Sequence, residues 1–160
     1  MNMKRLFVVI SLLFSCFIYL GAQVKVSSGS SCIDVAVKRA FAQGDDVYVD
    51  LIITGLSNWN MVYFHGRRGD SCKFFDDEGN VYQSQDLYGN GKVNFEVDGE
   101  QWYSECRLII EKNVPRKIRF IVKNVDEYAT SFPKISLRYY GNGTSANDCC
   151  ITIQNLPITR

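Results

Sequence analysis

Histidine is almost missing from this sequence: His65 is the single one among 160 residues. Any histidine-dependent general base would have to be that residue, and no Gly-x-Ser-x-Gly elbow accompanies it. No Cys-x-x-Cys occurs, so the six cysteines lack the paired spacing of a structural zinc site, and neither a metal nor a cofactor is expected. Proline is scarce, at three residues, and no long segment carries the 3.6-residue apolar period of an amphipathic helix. Charge of one sign is never concentrated. With 18 basic residues against 17 acidic ones there is no basic excess to neutralise a phosphate backbone, so no nucleic-acid partner is expected. Beyond residue 22 nothing is apolar enough to span a bilayer.

What is present begins at the N-terminus. Lys4 and Arg5 precede an apolar run from Leu6 to Leu20, followed by Gly21-Ala22 and then Gln23. A basic start, a short hydrophobic stretch and a small residue before the cut describe a secretory signal peptide, cleaved after Ala22. Leu13-Phe14-Ser15-Cys16 also resembles a lipoprotein cleavage box in which Cys16 would be lipidated, the one expected route to a membrane. Bulky Phe14, and the apolar tail Phe17-Ile18-Tyr19-Leu20 that would remain, favour cleavage after Ala22. An uncleaved anchor is the third alternative, with a run somewhat shorter than the ~20 residues of a spanning helix. The expected organisation is a signal peptide over 1–22 and a single domain over 23–160. The expected location is secreted or periplasmic, with exposure at the cell surface left open.

In the mature chain the apolar residues recur with period two. Ile33, Val35 and Val37 alternate with Asp34, Ala36 and Lys38; Val47, Val49, Leu51 and Ile53 alternate with Tyr48, Asp50, Ile52 and Thr54. Such segments are strands with one wet face and one dry face. The same alternation returns at Ile118, Phe120 and Val122, at Ile135, Leu137 and Tyr139, and at Ile151 and Ile153. Between them stand turns rich in glycine, asparagine and aspartate, such as Asp76-Asp77-Glu78-Gly79-Asn80 and Asp98-Gly99-Glu100. Val125 to Phe132 could make one helical turn crossing between sheets, with Pro133 stopping it before a strand at Ile135. Many short strands with turns between them predict an all-β, two-sheet antiparallel sandwich or a barrel.

Four segments carry a family resemblance: Gly44 to Leu51, Phe75 to Tyr82, Val125 to Phe132, and Ile153-Gln154-Asn155-Leu156-Pro157-Ile158. Over roughly Cys32 to Ile158 the chain resembles the telokin-like, immunoglobulin-like domains of small secreted bacterial proteins. The resemblance implies an immunoglobulin-like sandwich and a binding or adhesion role rather than an enzyme, and it transfers no catalytic residue.

Export sets an oxidising compartment, in which the five mature cysteines are expected to form disulfides. First and last strands often lie side by side in immunoglobulin-like sandwiches, and parallel pairing would bring Cys32 to Cys149 or Cys150. Neighbours on a strand face opposite ways, so only one of these two could reach it. The expected bridges are Cys32 with Cys149 or Cys150, and Cys72 with Cys106. The alternative is that some are buried thiols acting as small apolar residues.

The candidate site residues fall in two groups. Arg68-Gly69-Asp70-Ser71, directly before Cys72, resembles the adhesive tripeptide read by integrins, with opposite charges on a tight glycine turn. Trp59 and Trp102 lead a set of loop aromatics, with Tyr63, Phe64, Tyr88, Tyr103 and Tyr140, that could stack on sugars or instead plug the ends of the sandwich. A calcium reading of Asp76 to Asn80 competes with an ordinary polar hairpin turn. Cys72 with His65 as nucleophile and base is disfavoured by export, and scattered carboxylates identify no glycosidase pair. The expected function is a non-catalytic binding or adhesion module of the cell envelope, whose partner is a protein or glycan at the cell surface. The alternative is a carbohydrate-binding module using Trp59 and Trp102.

Overall fold

A computed structural model describes residues 23–29, 32–56, 60–65, 72–84, 91–103, 105–141 and 149–160. The signal segment, Cys16, Trp59, Tyr88 and Arg68 to Ser71 lie outside the described residues. Among the described residues, twelve strands form two sheets in which every strand pair is antiparallel. The first sheet runs β1 (Lys25–Ser28), β12 (Cys150–Pro157), β11 (Ser131–Gly141), β4 (Asn60–His65) and β9 (Glu105–Ile110). The short hairpin of β5 (Lys73–Phe75) and β6 (Val81–Gln83) adds to the same side of β11 as β4. The second sheet runs β2 (Ile33–Gln43), β3 (Asp46–Gly55), β10 (Pro115–Val122), β7 (Val93–Val97) and β8 (Glu100–Trp102). The molecule is a two-sheet antiparallel sandwich, not closed into a barrel.

Alternation in sequence becomes the division between core and surface. Val47, Val49, Leu51 and Ile53 of β3 are fully buried, as are Ile118, Phe120 and Val122 of β10 and Ile151 and Ile153 of β12. Aromatic rings knit the two inner faces together. Phe120 meets Phe64 edge-on at 5.5 Å and Phe95 at 5.3 Å, and Phe74 packs on both Phe120 and Phe132. Aromatic edge contacts of this kind add about 0.5–1.5 kcal/mol each beyond the area they bury.

Two strands depart from simple alternation. β2 bulges between Val37 and Arg39, inserting Lys38 as an extra residue against β3. β11 starts at Ser131 and carries Pro133 inside it, rather than starting after the proline. The missing N–H is tolerated because pairing with β12 skips from Phe132 to Lys134, opposite Asn155 with its φ of 57°. The segment before β11 makes one tight turn, closed by a bond from the Ala129 N–H to the Asp126 carbonyl.

The outward face of the second sheet holds a buried carboxylate. Asp50 on β3 is 2% exposed and lies in register with Arg39 of β2 and Arg119 of β10. Arg39 donates Nε at 2.9 Å, Arg119 donates Nε at 2.6 Å and Nη2 at 3.2 Å, and Lys117 Nζ stands 3.5 Å away. Burial works to raise the Asp50 carboxyl, but the hydrogen bonds from Arg119 and Arg39 and the nearby cations bring it down to about 2.

The expected disulfides are not formed: none of Cys32, Cys72, Cys106, Cys149 and Cys150 is bridged. The parallel pairing expected to bring Cys32 to the last strand is absent among the described residues: Cys32 stands directly before β2 in the second sheet, whereas β12 pairs antiparallel with β1 in the first. Among the described residues, β2 meets the end of the chain in parallel later, at Phe41 and Thr159. Cys106 sits opposite Phe64 in the β4–β9 pair, and Cys72 exchanges backbone and side-chain bonds with Ser84 at the mouth of the β5–β6 hairpin. Both are fully buried, and burial pushes each thiol up to about 12. They fill the core as small apolar residues.

Candidate functional site

Trp102 is the sequence-predicted binding residue that can be placed, and its strand explains its orientation. The β7–β8 hairpin closes through Asp98 and Gly99, whose φ values of 53° and 85° suit a type I′ turn. That register sets Trp102 opposite Phe95, which is itself opposite Phe120. The indole therefore ends a cross-strand aromatic row that starts in the core. It is an edge-strand residue rather than a loop residue, and 37% of it remains exposed.

On this side of the sandwich the two sheet edges, β8 and β9, leave a groove of about 300 Å³ between them. Val97, Asp98, Glu100 and Trp102 form one wall; Arg107 and Ile109 of β9 form the other. Arg116, at the start of β10, joins the walls. Its Nη2 pairs with Asp98 on the hairpin, and its Nη1 reaches the Ile109 carbonyl of β9 at 3.4 Å. Covering that carbonyl also blunts an edge strand that would otherwise offer itself to other chains.

Arg107 extends the surface beyond the groove. Its guanidinium lies 5.8 Å from the Tyr63 ring, and Tyr63 stacks on Tyr140 at 4.6 Å with planes 5° apart. Tyr140, Tyr63 and Arg107 are consecutive partners across β11, β4 and β9. An exposed indole, a tyrosine pair, two guanidiniums and two carboxylates thus share one side of the molecule. Such a set stacks on flat apolar faces while its polar groups hydrogen-bond to hydroxyls.

The other predicted features resolve differently. Asp76 is consumed by its own hairpin, accepting bonds from the Asn80 backbone at 2.7 Å, the Asn80 side chain at 3.0 Å and the Tyr82 hydroxyl at 2.8 Å. Asp77 is bonded to Thr130 and Ser131, which ties the hairpin to the start of β11. These bonds make the loop a polar turn, and among the described residues no group of three or more metal-binding side chains occurs. His65 ends β4. Arg68, Gly69, Asp70 and Trp59 lie outside the described residues, so the adhesive tripeptide and the second tryptophan are not placed relative to the groove. Arg107, Arg116 and Asp98 were not singled out from sequence. Asp98 read only as turn chemistry, and the two arginines gain meaning from strand pairs remote along the chain.

No protein-family model matches this chain, and no curated protein matches it. Among solved structures it is similar to the enzymatically active domain of tailspike protein 4 of bacteriophage CBA120, at 11% identity and a TM-score of 0.21. The match covers 84% of this chain and 19% of the tailspike chain.

Proposed function

We propose that this protein is an exported, non-catalytic binding module of the cell envelope and that it takes a carbohydrate in the Trp102 groove. One observation carries the reading: Trp102 lies in register with Phe95 and Phe120 of the core, remains partly exposed, and is flanked by Arg107 and the Arg116–Asp98 pair. Rigid rings held in advance lower the ordering cost of stacking on a sugar face. The basic start and apolar run over residues 1–22 support export.

The test is affinity electrophoresis of the mature protein through a panel of neutral and acidic polysaccharides, beside Trp102→Ala and Asp70→Glu. Retardation by at least one polysaccharide, lost in Trp102→Ala and kept in Asp70→Glu, is the expected result. Absence of retardation across the panel overturns the glycan reading, and release of reducing ends overturns the non-catalytic one. Capture of a protein partner that disappears in Asp70→Glu moves the function to the Arg68-Gly69-Asp70 tripeptide.

A further inference from the structure

The opposite side of the sandwich, where edge strands β1 and β2 approach each other, holds a second and independent groove of about 410 Å³. Its floor is apolar, made by Val24 and Val26 beside β2's Val37 and by Leu156 of β12. Its rim is basic. Lys38 and Arg39 both line it, although consecutive residues of a regular strand point to opposite faces. The bulge between Val37 and Arg39 is what turns both cations toward one opening.

Arg39 keeps spare capacity there. It gives Nε to Asp50, which Arg119 and Lys117 also neutralise, so three cations surround one carboxylate. Its side chain is 59% exposed, and among the described residues no acidic residue lines the groove. At one end the space is bounded by Thr159, where the chain's last residues cross to bond with Ala40 and Ala42 of β2.

We propose that this groove binds an anionic amphiphile, specifically a single-chain carboxylate. Its hydrocarbon tail lies along Val24, Val26, Val37 and Leu156, and its head group is held by Lys38 and Arg39. Charge complementarity selects the head, since a cationic or neutral head would leave the rim unpaired. The volume falls within the range of small-molecule sites, about 300–1,000 Å³. The bulge and its lysine also disfavour a peptide strand as occupant, because both are devices that keep an edge from pairing.

The experiment titrates laurate, below its micelle threshold, into the isotope-labelled mature protein and follows backbone amide shifts. Acetate serves as a head without a tail, dodecyltrimethylammonium as a tail with the opposite charge, and an alternating Glu-Val octapeptide as an extended acidic strand. Saturable shifts confined to residues 24–26, 37–40 and 156–159, caused by laurate alone, are expected. Lys38→Glu and Val26→Asp, both at exposed positions, should each weaken laurate about tenfold or more, the loss of a charge-assisted contact or of tail burial. Equal shifts from dodecyltrimethylammonium, tighter binding of the octapeptide, or unchanged affinity in both variants with native amide spectra would overturn the assignment. Trp102→Ala leaves laurate binding intact, which separates this site from the glycan groove.

Discussion

Arg119 grips Asp50 with two donors, Nε on Oδ1 at 2.6 Å and Nη2 on Oδ2 at 3.2 Å, across the β3–β10 pair. The fork geometry fits a carboxylate better than any lysine could, and the pair sits where Asp50 has almost no contact with water.

A pH dependence follows from that pair. The Asp50 carboxyl falls from 3.8 to about 2 on folding, so its contribution is complete above pH 4 and disappears as pH drops through 2. The gain amounts to about 2 kcal/mol at neutral pH. Asp50→Asn should lose about 2–3 kcal/mol at pH 7 and much less at pH 2, as read by urea unfolding. An equal loss at both pH values would show that the carboxylate's charge is not what stabilises the fold.

Thiol chemistry distinguishes the cysteines by burial. Cys72 and Cys106 are fully buried with thiols pushed up to about 12, so iodoacetamide at pH 8 should leave both untouched in the folded, reduced protein. Cys150, which is partly exposed, should be alkylated there. Peptide mapping before and after unfolding in urea reads the difference. Modification of Cys72 without unfolding would contradict the packing described.

Arg116→Met keeps most of the side chain's bulk and removes the bridge between Asp98 and the Ile109 carbonyl. Because Asp98 is largely exposed, stability should change by no more than about 1 kcal/mol. Glycan retardation should nevertheless weaken, since the two walls of the Trp102 groove lose their tie. Unaltered retardation would remove Arg116 from the site.

Gly141 tests the pairing of β4 with β11. A Cβ there would stand 2.6 Å from the Met61 carbonyl oxygen, so the strands must separate to admit any side chain. Gly141→Ala should cost about 1–3 kcal/mol by urea unfolding. A neutral result would mean that β4 does not lie as close to β11 as described.

The strands at Ile33, Val47, Ile118, Ile135 and Ile151 were legible because a two-residue period needs only local sequence. Asp50 shows where that reading ends. Alternation put it on a wet face, and it does lie on the face turned away from the core, but buried: cations from β2 and β10 close over it, which local sequence could not show because strand register is a long-range property. Trp102 was recognised as a candidate and misjudged in setting. The turn at Asp98-Gly99 is visible in sequence, whereas the alignment of Trp102 with Phe95 and Phe120 depends on which strands neighbour β7. The expected pairing of Cys32 was illegible for the same reason, since it required knowing which sheet receives the first long strand.

Among the described residues β12 is the only strand paired with β1; it also pairs with β11, and its continuation reaches across to β2 at Thr159. The two sheets therefore gain their shared margin only when the last ten or so residues are in hand. A chain made from its N-terminus must hold β1 unpaired until β12 has been made. The pairing of β1 with β12 spans most of the described sequence, and closing a contact of that separation should make assembly slow beside a helical domain of equal stability.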